Sequence, residues 1–182
     1  MLRPITVVAV ASLVLMAGCA PREKPMPVSK TVGISASREI NPYNEASNPV
    51  VLRLYQLSNR TAFEEAGFWE LFDGSGENLA GVLLSVQSIG PIYPAEARVV
   101  PFDLVPETRY LGVFAEFADY ESQRYSALEE INDTVLEKGV VVSISASGIA
   151  IKGGDLTVEG EPLEERRRPI LGFIGKLFGG KK

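Results

Sequence analysis

The sequence predicts a mainly β protein, an antiparallel β-sandwich with a short helical insert, and three observations lead to that prediction. About seven apolar segments of strand length follow one another, with alternating polarity or many branched and aromatic residues. Glycine and proline separate these segments. The 182 residues, 46% apolar and 23% charged, have the composition of one globular domain. Short strands at such intervals are typical of a sandwich and not of a parallel α/β sheet.

Two strands carry the clearest pattern. Residues 28–36 alternate in polarity, and residues 50–57 (VVLRLYQL) place Leu52 and Leu54 on a core face with Arg53 opposite. An arginine in so apolar a strand is expected to face outward or to form an ion pair, and not to act in catalysis. Further strands are predicted at residues 85–89, 98–104, 110–117, 140–146, 149–152 and 156–159.

Residues 61–84 change to a helical period and predict the insert. Thr61 and Glu64 have the spacing of a capping box, with Thr61 as the N-cap. A second short helical or turn piece is predicted at residues 78–84, and a later polar loop is expected to hold one helical turn at residues 127–131. The aromatic side chains of the insert are predicted to pack against the sheet and not to form a ligand cage. Apolar residues at helical spacing are Phe63, Phe68, Trp69, Leu71 and Phe72.

The first 18 residues predict a lipoprotein signal peptide. Arg3 precedes a run of 13 apolar or small residues, which is too short for a transmembrane helix of about 20 residues but suits a signal-peptide core. Ala17 and Gly18 then precede Cys19, the only cysteine. This order is similar to a bacterial lipobox, which implies cleavage before Cys19 and a covalent lipid such as palmitate on it. An ordinary secretory signal with an incidental cysteine is the alternative.

Residues 19–27 are rich in proline and charge, and they predict a stiff tether between the lipidated Cys19 and the domain. Ala20 stands where bacterial lipoproteins of the inner membrane commonly have aspartate, so we expect the outer membrane. The domain itself is predicted to span residues 28–160.

Composition excludes several classes of function. Without histidine the chain cannot form a Ser-His-Asp triad or a Cys-His pair, and with one cysteine it cannot form an intrachain disulfide or a structural zinc site. No carboxylate pair has a catalytic or calcium-loop setting. We therefore expect no enzyme, no metal and no cofactor other than the lipid on Cys19, and the acidic balance argues against nucleic acid.

The net charge of −5 hides two opposed parts. Residues 20–165 hold 11 basic and all 23 acidic side chains, whereas residues 166–182 hold six basic and none acidic. Residues 161–182 therefore predict a basic amphipathic tail that stays unfolded until it binds a membrane or a partner. A solvated tail resting on the acidic body is the alternative. The residues that would make contact are Arg166, Arg167, Arg168, Phe173, Ile174, Leu177 and Phe178.

Three motifs, taken in order, resemble the lipoprotein family of bacterial type VI secretion systems, TssJ or VasD-like proteins. They are ASREINP at 36–42, NPVVLRLYQL at 48–57 and YLGVFAEF at 110–117, with the spaced aromatics between the last two. The resemblance implies a transthyretin-like sandwich that faces the periplasm from the outer membrane. It also implies recruitment of the periplasmic part of the inner-membrane subunit TssM, which works with TssL. One departure is Gln-Arg-Tyr at 123–125, where the family often has Trp-Arg.

The loop of residues 37–49 is the predicted partner-binding site. It is 13 residues long, whereas hairpin loops need about 2–5 residues, and loops of such length are usually functional. The resemblance assigns the TssM contact to this loop and implies Asn41, Pro42, Tyr43 and Asn44 at its tip. Two prolines lower the cost of ordering the loop, and Tyr43 offers an aromatic anchor. A pilotin-like lipoprotein, a small-ligand-binding module, or a loop with no binding role are the alternatives.

Overall fold

The apolar segments pair into two four-stranded sheets in the computed structural model, which describes residues 26–74 and 77–154. The strands are β1 (Val28–Ala36), β2 (Pro42–Tyr43), β3 (Ala46–Ser47), β4 (Val50–Leu57), β5 (Leu83–Ile92), β6 (Ala97–Leu104), β7 (Tyr110–Ala115), β8 (Ser126–Glu130), β9 (Val140–Ser145) and β10 (Gly148–Gly153). The helices are α1 (Thr61–Glu65), α2 (Phe68–Asp73) and α3 (Asp133–Lys138), with a 3-10 turn at Glu77–Leu79. The predicted sandwich with a helical insert is confirmed.

One sheet has the strand order β10-β9-β1-β6 and the other β5-β4-β7-β8. Neighbours are antiparallel except β1 and β9, which run parallel with Val32 opposite Val140. β2 and β3 form a separate two-stranded hairpin inside the loop of residues 37–49.

The core between the sheets follows from the alternation along β1 and β4. Val32 and Ile34 of β1 are fully buried, and Leu52 and Leu54 of β4 lie in the same apolar cluster. Gln56, the next residue on that face, is buried too. Its amide donates to the Asp103 carbonyl at 2.9 Å and accepts from Val105 N at 2.8 Å, so its polar atoms are satisfied.

The opposite face of the second sheet carries the helical insert as a third layer. Tyr55, Phe114 and Leu57 point to this side and form a second buried cluster with Phe63 and Leu71. Phe63 and Phe68 therefore pack the insert against the sheet, as predicted, whereas Trp69, which was predicted to pack with them, is 58% exposed. Phe68 and Tyr125 belong to the same aromatic group, with ring centroids 5.4 Å apart.

Arg53 and Tyr55 hold the end of α2 against β4. The Arg53 guanidinium donates to the carbonyl oxygens of Leu71 (3.1 Å) and Phe72, and its Nη2 lies 2.8 Å from Glu116 Oε1. The Tyr55 hydroxyl donates to the Leu71 carbonyl at 2.8 Å. These carbonyls are the acceptors that a helix leaves free at its C-terminus. Arg53 is thus ion-paired, as the sequence predicts.

Several predicted boundaries are wrong. Thr61 is not an N-cap, because α1 starts at this residue and Arg60 occupies the cap position without a side-chain bond. The second piece is a 3-10 helix at Glu77–Leu79 followed by a turn, and it ends before Leu83, which already belongs to β5. Where a helical turn was expected at residues 127–131, the chain forms β8, paired with β7. Helix α3 was not predicted.

Two poles of the sandwich matter for function. The tether pole holds the start of β1, the loop of residues 105–109, α3 and the end of β10. The loop pole, at the other end of the strands, holds the loop of residues 37–49, the turn of residues 93–96 and the loop of residues 116–125. β1 runs from one pole to the other over nine residues, or about 30 Å.

The signal peptide, Cys19, most of the tether, the strand predicted at residues 156–159 and the basic tail lie outside the described residues. Within the described part, no helix has the length and apolar character to cross a membrane.

Candidate functional site: a braced loop at one pole

The loop of residues 37–49 is folded around the hairpin of β2 and β3. Tyr43 pairs with Ala46, and the two residues between them, Asn44 and Glu45, both have positive φ, 52° and 61°. Positive φ at both central residues is the requirement of a type I′ turn, the form that matches the twist of a two-residue hairpin. Asparagine tolerates this conformation well. The tip of the loop is therefore Tyr43–Asn44–Glu45.

Side chains at the base of the hairpin cross-link its two arms. Ser47 Oγ accepts from Ile40 N and donates to Ile40 O, both at 2.9 Å. The Asn48 amide donates to the carbonyls of Asn41, Tyr43 and Ala46 at 2.9–3.2 Å. Ile40 itself is buried in the sandwich core. The loop is thus held by its own hydrogen bonds and by an apolar residue anchored in the core.

Asn41 lies at the base of the loop and not at its tip, where the sequence reasoning placed it. It is 5% exposed, and its Nδ2 donates to the Pro49 carbonyl at 3.0 Å. Its Oδ1 accepts from Ala118 N at 2.8 Å, which joins this loop to the loop of residues 116–125. Asn41 also has a positive φ of 45°. Its place in the structure is that of a brace.

The other three predicted residues lie at or next to the surface of the loop pole. Tyr43 is 53% exposed, Asn44 is exposed and Pro42 is half-buried. An exposed tyrosine on a held backbone offers large contact area at small entropic cost.

The structure adds Tyr93, which the sequence reasoning did not single out. Tyr93 is exposed at the same pole, in the turn before β6. The buried Glu96 carboxylate accepts from Tyr93 N at 2.8 Å and pairs with Arg98, and Ala95 N donates to the Ser37 carbonyl at 2.8 Å. The sequence signal was an aromatic next to a turn proline, Tyr93-Pro94.

Residues 123–125, where the sequence differs from the family's Trp-Arg pair, pack against the sandwich. The Gln123 amide donates to the Ala146 carbonyl at 2.9 Å, and Arg124 forms a bridge with Gly148. A Cβ on Gly148 would lie 2.4 Å from the Arg124 carbonyl oxygen, so glycine permits this approach. Tyr125 packs on Phe114, with ring centroids 6.2 Å apart. This segment therefore closes the loop pole from the side of β8.

The described residues contain no cluster of three or more carboxylate or thiol side chains that could hold a metal ion. The hydrogen bonds at the loop pole join one backbone segment to another, so the loops there form a fixed surface that a partner could contact. Its exposed side chains include the aromatic Tyr43 and Tyr93 and the amide Asn44, together with charged groups such as Glu45 and Asp119.

The family comparison agrees with this geometry. Residues 29–147 match the family described as type VI secretion lipoprotein (VasD, EvfM, TssJ, VC_A0113). The chain belongs to the type VI secretion lipoprotein family. The resemblance stated from the sequence motifs is confirmed, and the match covers the whole sandwich up to the turn before β10 but not the basic tail.

Solved structures share the fold of this type VI secretion lipoprotein. The T6SS lipoprotein TssJ1 from Pseudomonas aeruginosa is 25% identical, with a TM-score of 0.60, over 69% of this chain and 95% of that chain. Lip of Serratia marcescens, a membrane-bound component of the type VI secretion system, is 17% identical, with a TM-score of 0.60, over 69% and 96%. A chain in the structure titled "T6SS protein TssM C-terminal domain (869-1107) from EAEC" is 20% identical, with a TM-score of 0.54, over 68% and 97%. No curated protein sequence matches this lipoprotein.

Proposed function

We propose that this protein is the outer-membrane lipoprotein of a type VI secretion membrane complex, and that it recruits and holds the periplasmic part of TssM, the subunit that works with TssL. The single observation that carries the proposal is the position of the braced loop of residues 37–49. It lies at the pole opposite the start of β1, where the tether from Cys19 enters. A lipid at Cys19 then leaves the loop pole facing away from the membrane.

Preorganisation favours this loop as the contact surface. Binding through an unfolded loop costs the entropy of ordering each residue, about 1–2 kcal/mol per residue for the backbone. Here the bonds of Ser47 and Asn48 already fix the hairpin, so the free protein has met that cost. Tyr43 at the tip is the expected anchor, since exposed tyrosines often carry much of the binding energy at interfaces.

The lipid provides attachment and the domain provides contact, so the proposed role requires no catalysis. Family membership supports a membrane-bound lipoprotein, and Ala20 after Cys19 supports the outer membrane. The match to a chain in a structure titled for the TssM C-terminal domain supports TssM as the partner.

Capture of TssM from cells tests the proposal. The full lipoprotein, tagged and extracted in detergent, is expected to bring down TssM. Replacing Pro42 and the tip residues Tyr43 and Asn44 with Gly-Ser-Gly is expected to abolish capture while leaving the braces in place. The matched control changes Ala80 and Gly81 to serine in an exposed turn of the insert, and it should capture TssM normally.

Two outcomes contradict the proposal. If the tip variant still captures TssM, the loop is not the interface. If the unaltered protein captures a different secretion subunit and no TssM, the pilotin-like role is correct instead. Anchoring is tested separately by labelling cells with a radioactive fatty acid, which should mark the protein and should fail to mark Cys19→Ser.

A further inference from the structure

A second surface lies at the tether pole, where an apolar groove of about 350 Å³ opens between the start of β1, the loop of residues 105–109 and α3. The groove is separate from the loop proposed to hold TssM. Its apolar lining is supplied by Met26, Val28, Leu104, Val105, Ile131 and Leu136.

The groove leaves apolar surface in contact with water. Met26 is 83% exposed and Val28 is 55% exposed, and they stand side by side at its edge. Leu104 and Leu136 are only partly buried. Each square ångström of apolar surface removed from water contributes about 25 cal/mol, so a covering segment would gain stability here.

The rim of the groove is acidic. Glu107 and Asp133 line it and are both exposed, and no basic side chain belongs to its described lining. An apolar groove with such a rim is complementary to an apolar segment that carries positive charge.

The chain itself supplies such a segment within reach. β10 runs towards the tether pole, and Gly154 N donates to the Gly139 carbonyl at 3.0 Å, directly after α3, whose Leu136 lines the groove. Residues 155–165 can span up to about 36 Å. Residues 166–182 follow, with six basic and no acidic side chains and an apolar stripe that includes Phe173 and Leu177.

We propose that the C-terminal tail, residues 166–182, binds in this groove and covers Met26 and Val28. The groove holds only a few large side chains, so one turn of the stripe enters it and the basic residues meet Glu107 and Asp133. Because the tail is tethered, its effective concentration is in the millimolar range, and weak contacts suffice. We call this contact of the tail with Met26 and Val28 the clasp.

Thiol labelling of the groove tests the clasp. Cys19→Ser removes the one natural cysteine, so a cysteine introduced by Val28→Cys is then the single thiol. The rate of its alkylation is compared between the mature chain with its tail (the full chain) and the same chain ending at residue 165. If the tail occupies the groove for nine-tenths of the time, labelling of the full chain is about tenfold slower. Tyr43→Cys, at the other pole, should be labelled equally fast in both lengths.

A charge variant gives a second test that keeps the tail. Glu107→Gln with Asp133→Asn is expected to bring the labelling rate of Val28→Cys close to that of the shortened chain. Glu45→Gln with Asp119→Asn removes the same charge at the loop pole and should leave the rate unchanged.

Equal labelling of Val28→Cys in the full and shortened chains overturns the clasp. A membrane role for the tail would then show as sedimentation with vesicles containing phosphatidylglycerol that requires residues 166–182. The clasp predicts that removing the tail leaves TssM capture intact, so its failure and the failure of the proposed function are distinguishable.

Discussion

Arg53 shows how one charged side chain joins two layers of the protein. Its position in the middle of β4 turns it away from the sandwich core, towards the C-terminus of α2. There it meets carbonyl oxygens and the Glu116 carboxylate, and its guanidinium stacks over the Phe72 ring at 5.5 Å. Positive charge is favourable at a helix C-terminus, which carries a partial negative charge.

Replacing Arg53 with methionine is expected to lower the free energy of unfolding by about 2 kcal/mol, since hydrogen bonds to charged groups contribute about 1.5–3 kcal/mol each and Glu116 would lose its partner. Urea unfolding of the mature chain measures this. Arg60→Met is the control, because the Arg60–Glu64 pair at the start of α1 is exposed to solvent and its loss should leave the midpoint unchanged. Equal effects of the two variants would contradict the proposed role of Arg53 in joining α2 to β4.

Tyr55 makes the free energy of unfolding depend on pH in the alkaline range. Burial raises the pKa of its hydroxyl above 10.0, partly opposed by the nearby Arg53. Because the pKa of Tyr55 is higher in the folded state than in the unfolded state, its full contribution to stability is present below pH 10. That contribution is lost as the pH rises through the folded-state pKa. Between pH 9 and 11, the free energy of unfolding of Tyr55→Phe should therefore fall less steeply than that of the unaltered protein. Tyr43→Phe, which changes an exposed tyrosine at the loop pole, is the matched control.

The role of a residue could be predicted where the pattern of its own strand was sufficient to indicate it. The apolar setting of Arg53 predicted an ion pair, but nothing local could identify Glu116, 63 residues later, as its partner. Thr61 had the capping-box spacing, yet Asn59 Oδ1 accepts the Thr61 backbone N–H, and Glu64 pairs with Arg60 instead. Asn41 was predicted at the tip of the loop, because the sequence gives no sign of its hydrogen bond to Ala118, which lies 77 residues later in the chain.

The contact of the helical insert with β7 depends on a glycine. A Cβ on Gly112 would lie 2.7 Å from Phe63 Cζ, well inside van der Waals contact. The absent side chain lets the Cζ end of the Phe63 ring approach β7 closely within the second apolar cluster. The insert and the sheet therefore share one close-packed interface, which has no room for an additional methyl group at position 112.

Gly112→Ala is expected to lower the free energy of unfolding by about 1–3 kcal/mol, because the Phe63 ring must move. Gly90→Ala, in β5 with open space around its position, should cost much less. Combining Gly112→Ala with Phe63→Leu should cost less than the sum of the single changes, which denaturant titration of the four proteins measures. Strict additivity would contradict the proposed contact.

Element prediction failed where tertiary pairing overrides local preference. Residues 126–130 (SALEE) contain good helix formers, but they supply the partner that β7 needs, and so form β8. Helix α3 was missed although its signals are present: the Asn132 side chain accepts from Val135 N at 3.0 Å, and Gly139 follows the helix. Strands β1 and β4 matched because their apolar patterns are long and unambiguous.

For the molecule as a whole, the sandwich followed from strand number and spacing, but the strand order did not. The parallel pairing of β1 with β9 joins segments more than a hundred residues apart, and no local pattern encodes it. The loop of residues 37–49 was predictable from its length. Its braces were not, because they require the folded hairpin.

The most direct test of the central claim is the dissociation constant between the mature lipoprotein and the periplasmic domain of TssM, measured by isothermal titration calorimetry. Tyr43→Ala is expected to weaken binding about thirtyfold or more, as loss of an interface anchor costs about 2 kcal/mol or more. Val99→Ala, an exposed apolar change on β6, is the control and should leave the constant unchanged. An unchanged constant for Tyr43→Ala would contradict the claim that the loop pole holds TssM.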